Sequence, residues 1–108
     1  MIVLNNLVSN SIRYQNENAE NPFVRIRVLT NVKSAVIEVE DNGIGIKDKH
    51  QNKVFEMFYR VSDKSKGSGL GLYIVKEIVE KLRGNIQLNS TMGVGTKFSF
   101  TIPNLYYS

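Results

Sequence analysis

The chain has no cysteine, one histidine and only two prolines among 108 residues. Without cysteine there is no disulfide, thiolate metal site or cysteine nucleophile, and a reducing compartment is allowed. One histidine, His50, excludes a clustered-histidine metal centre. No apolar run reaches the roughly 18 residues needed to span a bilayer, and the amino terminus lacks the basic stretch and small-residue cleavage site of a secretory signal. The chain therefore reads as soluble and cytoplasmic, without direct membrane contact. Repeats and low-complexity tracts are also missing, and Pro22 and Pro103 fall where one element is ending or another has not begun.

What is present describes one globular domain, residues 1–108. With 42% hydrophobic and 22% charged residues, the chain can bury a core and lies far from the composition of disordered segments. Fourteen Lys and Arg against ten Asp and Glu leave a net charge of +4, which suits an anionic ligand without demanding one.

Met1 to Tyr14 spaces Leu4, Leu7, Val8, Ser11 and Ile12 at three and four residues, the stripe of an amphipathic helix. After a turn-rich break, Phe23 to Leu29 alternates Val24, Ile26 and Val28 with Arg25 and Arg27, a half-buried strand. Ala35 to Asp41 is a second strand, joined to the first through Val32-Lys33-Ser34 as an antiparallel hairpin. Asp48 to Tyr59 reads as a short helix with Val54, Phe55 and Phe58 on one face. Gly69 to Arg83 is the clearest helix, with Leu70, Tyr73, Ile74, Ile78 and Leu82 inward and Gly84 as its left-handed cap. Strands follow at Asn85 to Asn89 and Thr96 to Ile102, the latter carrying Phe98, Phe100 and Ile102 on one face. The pattern predicts an α+β fold, a two-layer sandwich with helices on one face of a mixed, mostly antiparallel sheet.

Seven of the eight glycines fall into three groups, Gly43 and Gly45, Gly67, Gly69 and Gly71, and Gly93 and Gly95. Tight turns account for any one group; three groups on one small domain suggest backbone lying against a ligand. The first helix carries Asn6, Asn10 and Arg13 along one side. Asparagine is a weaker helix former than Glu or Lys, so the pair costs stability unless it serves a ligand, although surface asparagines are also commonplace. One amide oxygen can complete a Mg²⁺ shell filled mainly by phosphate and water, with Arg13 meeting phosphate charge. Asp41 ends its strand ahead of Asn42-Gly43-Ile44-Gly45, where it can accept a hydrogen bond from an exocyclic amino group or close an Asx turn. Lys66-Gly67-Ser68-Gly69-Leu70-Gly71-Leu72 runs into the strongest helix and offers backbone N–H groups to a phosphate. It matches neither a Walker A loop nor a dinucleotide fingerprint.

Together these segments resemble the boxes of sensor histidine kinases. Asn6 to Tyr14 resembles the N box, Asp41 to Ile46 the first glycine box and Val54-Phe55-Glu56-Met57-Phe58-Tyr59-Arg60 the F box. Gly67 to Lys76 resembles the second glycine box and Gly93 to Phe98 the closing Gly-Thr motif. The resemblance implies a Bergerat ATP-binding fold with ATP and Mg²⁺ as cofactors. It assigns Mg²⁺ coordination to Asn10 and the phosphate end to Asn6 and Arg13, with Tyr14 near adenine or the lid. Asp41 is implied to accept the adenine amino group, beside Gly43, Gly45 and Ile46, with Thr96 assisting through its hydroxyl and water. Val61 to Lys66 is the implied lid. Arg60, Lys64 and Lys66 are available to the phosphates, against which the backbone of Gly67, Ser68, Gly69, Leu70, Gly71 and Leu72 is laid. In this reading Asn10, Arg13 and Arg60 are the catalytic set.

The sequence departs from that pattern in three ways. It opens inside the N-box helix, without the family's leading strand and helix, so we expect a sheet edge open to pairing with a second copy. His50 follows Asp48-Lys49 without the His-Glu-Leu-Arg pattern of a phosphoacceptor helix, and is expected to be a solvated surface residue. Ser11 and Arg13 stand where Ala and Lys are frequent in the family, with a small effect on affinity expected. The expected partner is a histidine-bearing dimerisation domain, with a response regulator downstream, and phosphoryl transfer is not expected from the chain alone. A nucleotide-binding module without transfer is the alternative. Nucleic-acid binding ranks last, because the basic residues are scattered among acidic ones.

Overall fold

The computed structural model describes residues 2–56 and 71–104. Helix α1 (Ile2–Arg13) leads into an antiparallel hairpin of β1 (Val24–Thr30) and β2 (Ser34–Asp41). A short helix, α2 (Asp48–Gln51), precedes α3 (Gly71–Lys81), and a second hairpin of β3 (Asn85–Thr91) and β4 (Gly95–Pro103) closes the chain. The four strands form one sheet in the order β1-β2-β4-β3, with every pairing antiparallel. The expected two-layer α+β architecture is therefore present, and its described strands are antiparallel throughout.

Strand register puts Val39, Phe98 and Leu88 in one row across the sheet and Ile37, Phe100 and Ile86 in the next. Val39, Phe98 and Phe100 are fully buried under Val3 and Leu7 of α1 and Val75 and Val79 of α3. The opposite face reads Arg25, Glu40 and Lys97 in one row and Arg27, Glu38 and Ser99 in the next. Ion pairs cross it from Arg25 to Glu40 at 3.0 Å and from Lys97 to Glu38 at 3.7 Å. Solvated pairs of this kind contribute about 0–1 kcal/mol each, so this face adds little to stability.

The inward faces of the helices differ from the sequence expectation. In α1 the buried row is Val3, Leu7 and Ser11 with Asn10, and Ile12 turns to solvent. In α3 it is Val75 and Val79, flanked by Leu72 and Ile78, whereas Ile74 and Leu82 are exposed. Two apolar rows lie side by side on α3, Ile74, Ile78 and Leu82 beside Leu72, Val75 and Val79, and contact with both α1 and the sheet turned the second inward. β1 is an edge strand, and Ile26 and Val28, although on the helix side of the sheet, remain 45% and 59% exposed.

Local chemistry accounts for the turns. Asn31 accepts the N–H groups of Lys33 and Ser34 at its side-chain oxygen, so the first hairpin turns on an Asx motif one residue earlier than the connection expected from sequence. At the end of α3 the left-handed residue is Arg83, with φ of 62°, not Gly84. Gly84 donates its N–H to Val79 O, closing a Schellman-type turn, and a Cβ at Gly84 would lie 2.1 Å from Thr101 O. Its glycine is set by that close approach. α2 ends at Gln51 instead of running to Tyr59, and Lys53 and Glu56 continue in three-residue turns. These turns let the adjacent Val54 and Phe55 both face inward, with the Phe55 ring edge-on to Phe98 at 5.9 Å between centroids. Met57 to Tyr59 lie outside the described residues.

Candidate nucleotide site

The site is assembled at the β2 carboxyl end, where α1, β4 and the first glycine box meet. Tyr14 donates its N–H to Asn10 O and accepts the Ile44 N–H at its own carbonyl. The carboxyl end of α1 is thus fastened to the loop that follows Asp41. A Cβ on Gly43 would come within 2.5 Å of Tyr14 O, so this approach requires glycine. Gly45 adopts φ of 82° with its backbone against Thr91, and Gly93 donates its N–H to Ile44 O. The loop is therefore held on one side by the helix and on the other by the β3–β4 turn.

Asp41 is buried and accepts the Gly43 N–H at Oδ1, 2.8 Å away. That bond makes the Asx turn and simultaneously fixes the carboxylate. Its second oxygen accepts no hydrogen bond from the described residues. Directly opposite on β4 stands Thr96, also buried, on the same face of the sheet. Gly95 makes this pairing tight: a Cβ there would lie 2.0 Å from Asp41 O.

Asn10 is buried, and its side-chain amide makes no hydrogen bond to the described residues. Beside it Ser11, 1% exposed, has a hydroxyl without a partner among the described residues. Asn6 lies one turn earlier, and a Cβ on Gly71 would sit 3.8 Å from its Oδ1, so the start of α3 lies against the polar side of α1. Arg13 is exposed at the last turn of α1, and Tyr14 is half-buried. Ile46 and Leu72 are half-buried and pack on the core. Thus Asn6, Asn10, Tyr14, Asp41, Gly43, Gly45, Ile46, Gly71 and Thr96 belong to one connected region. Arg60, Lys66, Gly67, Ser68, Gly69 and Leu70, together with the expected lid, lie outside the described residues. His50, expected as a solvated surface residue, is half-buried in α2.

Three residues escaped the sequence reading. Ser90 Oγ accepts the Ile46 N–H at 2.8 Å and lies 2.8 Å from Thr96 Oγ1. Gln51 Nε2 donates to Ile46 O at 2.9 Å and to Ser90 O at 3.1 Å. Asn42 binds the lead-in to β1, accepting from Phe23 N and donating to Asn21 O. All three act across long stretches of chain, so only strand register reveals them.

Comparison with known proteins agrees with this geometry. Residues 1–105 match the family model described as histidine kinase-, DNA gyrase B- and HSP90-like ATPase. The chain is 42% identical over 106 residues to the sensor histidine kinase WalK of Bacillus subtilis, covering 94% of this chain and 17% of that protein. It is 38% identical over 107 residues to the sensor protein RprX of Bacteroides fragilis, covering 95% of this chain and 20% of that one. The solved mycobacterial sensor histidine kinase MprB superimposes with a TM-score of 0.79 at 27% identity, covering 94% of this chain and 68% of that one. The chain therefore spans a fifth or less of these two curated relatives. With its Asp41–Thr96 floor, its Asn-lined helix and its glycine loops in the order the family requires, the chain belongs to the histidine kinase-, DNA gyrase B- and HSP90-like ATPases, as an ATP-binding catalytic domain of the histidine-kinase kind.

Proposed function

We propose that the chain moves the γ-phosphoryl group of ATP to a histidine on a separate dimerisation domain of its parent kinase, from which a response regulator takes it. The observation that carries this reading is the fixed Asp41 carboxylate, one oxygen held by Gly43 N–H and the other open, beside Thr96 and one helix end from Asn10. Adenine is read at Asp41, and the phosphates extend toward α1 and the start of α3. Arg13, and from sequence Arg60, Lys66 and the Gly67–Leu70 backbone, face the phosphate charge in this reading.

The residues present suit Mg²⁺. No group of three or more His, Cys, Asp or Glu gathers among the described residues, so no protein cage for a metal is seen there. Asn10 supplies one hard oxygen, and Mg²⁺ characteristically takes the rest of its shell from phosphate and water. When bound, the ion neutralises charge on the transferring phosphoryl group. The chain's own contribution is positioning, with Asp41 and Thr96 fixing the base and Asn10 and Arg13 fixing the phosphate end. None of the described helices is long and apolar enough to cross a membrane; a cytoplasmic location follows from the proposed role.

Incubation with γ-labelled ATP, Mg²⁺ and a separately prepared acceptor-helix dimer should place phosphohistidine on the added helix and none on His50. Label on His50 would refute transfer in trans, and ATP binding without any phosphohistidine would leave a nucleotide-sensing module. Asn10→Ala should reduce the Mg²⁺-dependent gain in ATP affinity by about tenfold or more, judged by titrations in Mg²⁺ and in EDTA. Equal gains in the variant and the parent chain would remove Asn10 from the metal site.

A further inference from the structure

Ser90 and Thr96 face each other across β3 and β4, their hydroxyl oxygens 2.8 Å apart. A serine hydroxyl has one proton to give and two lone pairs to receive with. Ser90 Oγ lies 3.0 Å from the Gly95 carbonyl, which can only accept, and receives the Ile46 N–H. A single assignment makes all three bonds: Ser90 donates to Gly95 O, and Thr96 donates to Ser90. The alternative, with Ser90 donating to Thr96, forfeits the part-buried bond to Gly95, and a lost bond there is costly. The Thr96 proton is therefore spent inside the sheet, and its hydroxyl offers only lone pairs to the space beyond. Asp41, its register neighbour on β2, likewise offers only an acceptor at its open oxygen.

We infer that Ser90 is a positioning residue for base specificity: by fixing Thr96 as an acceptor, it makes the Asp41–Thr96 pair select a 6-amino purine over a 6-oxo purine. This rests on the ATP-site reading above. An exocyclic amino group carries two protons and can serve both acceptors, directly or through a water. A 6-oxo group presents lone pairs to lone pairs, and no donor on Asp41 or Thr96 is left to turn toward it. Without the Ser90 hydroxyl, Thr96 regains its proton and can donate to such an oxygen. Ile46 remains held through its carbonyl by Gln51, and Ile44 by Tyr14 and Gly93, so the change at Ser90 removes one of several fastenings of the loop.

The test is calorimetric titration of the full chain with ATP and with inosine triphosphate, which carries the 6-oxo group. The unaltered chain should prefer ATP. Ser90→Ala should lower that preference about three- to tenfold, the range of one hydrogen bond, while Ser90→Thr retains it. In a Thr96→Val background, Ser90→Ala should change the preference no further. If Ser90→Ala weakens both nucleotides equally, or the change persists without the Thr96 hydroxyl, Ser90 merely supports Ile46 and the inference fails. Circular dichroism checks the fold, and should Ser90→Ala not fold, Ser90→Cys carries the same expectation, its thiol being a weak donor and acceptor. An unaltered, folded chain that binds neither nucleotide would instead overturn the ATP-site reading, and this inference with it.

Discussion

Asp41→Asn is expected to weaken ATP binding about 10- to 100-fold without unfolding the domain. The substitution separates the two tasks of this side chain. An asparagine oxygen can still accept the Gly43 N–H, so the Asx turn that positions the loop survives. At the other position an N–H₂ replaces the open oxygen, and a donor then faces the base amino group, itself a donor. The lost interaction is charge-assisted, which places it at the strong end of hydrogen bonds. A calorimetric titration with a non-hydrolysable ATP analogue, beside a thermal melt by circular dichroism, measures both quantities. Unchanged affinity would mean that Asp41 serves the turn alone and that adenine is read elsewhere.

Phe98→Ala is expected to have the largest effect on stability, a loss of about 3–5 kcal/mol. Phe98 is fully buried at the centre of the sheet, in one row with Val39 and Leu88, beneath the two long helices. Its ring also receives the edge of Phe55, so its loss removes the anchor of the segment after α2. Domains of this size hold only about 5–15 kcal/mol in total, so the variant should unfold at markedly lower urea concentration. A midpoint within experimental error of the parent's would show that the core does not rest on this ring.

The contrast between those two residues reflects how differently fold and site are encoded. Phe98 was legible from alternation, because a strand has only two faces and Phe98, Phe100 and Ile102 fill one of them. Helix faces were less legible. Two apolar rows run side by side on α3, and Ile74 and Leu82, plausible as core by spacing, gave way to Val75 and Val79 once α1 and the sheet were in place. The segment after α2 misled for a related reason. Val54 and Phe55 are adjacent in sequence and both turned inward, a pattern that a helical stripe and short turns produce alike, so spacing did not tell them apart. In the site, Asp41, Thr96 and the glycine boxes stood out by residue type and order. Ser90 and Gln51 did not, since a serine in a strand and a glutamine in a charged helix are unremarkable until pairing brings them to Ile46 and Thr96.

Sequence alone determined the class of fold, the position of the strands to within a residue or two and the family, and it singled out the residues proposed here for the adenine and metal ends. It could do so because local periodicity and turn chemistry act over a few residues, and because the ligand-facing boxes are contiguous. Tertiary structure alone decided which helix faces turn inward, why Gly43, Gly84 and Gly95 cannot carry a Cβ, and that Ser90 meets both Ile46 and Thr96. Each of these depends on atoms brought within a few ångströms from distant parts of the chain, where close packing and the count of donors and acceptors leave a single arrangement.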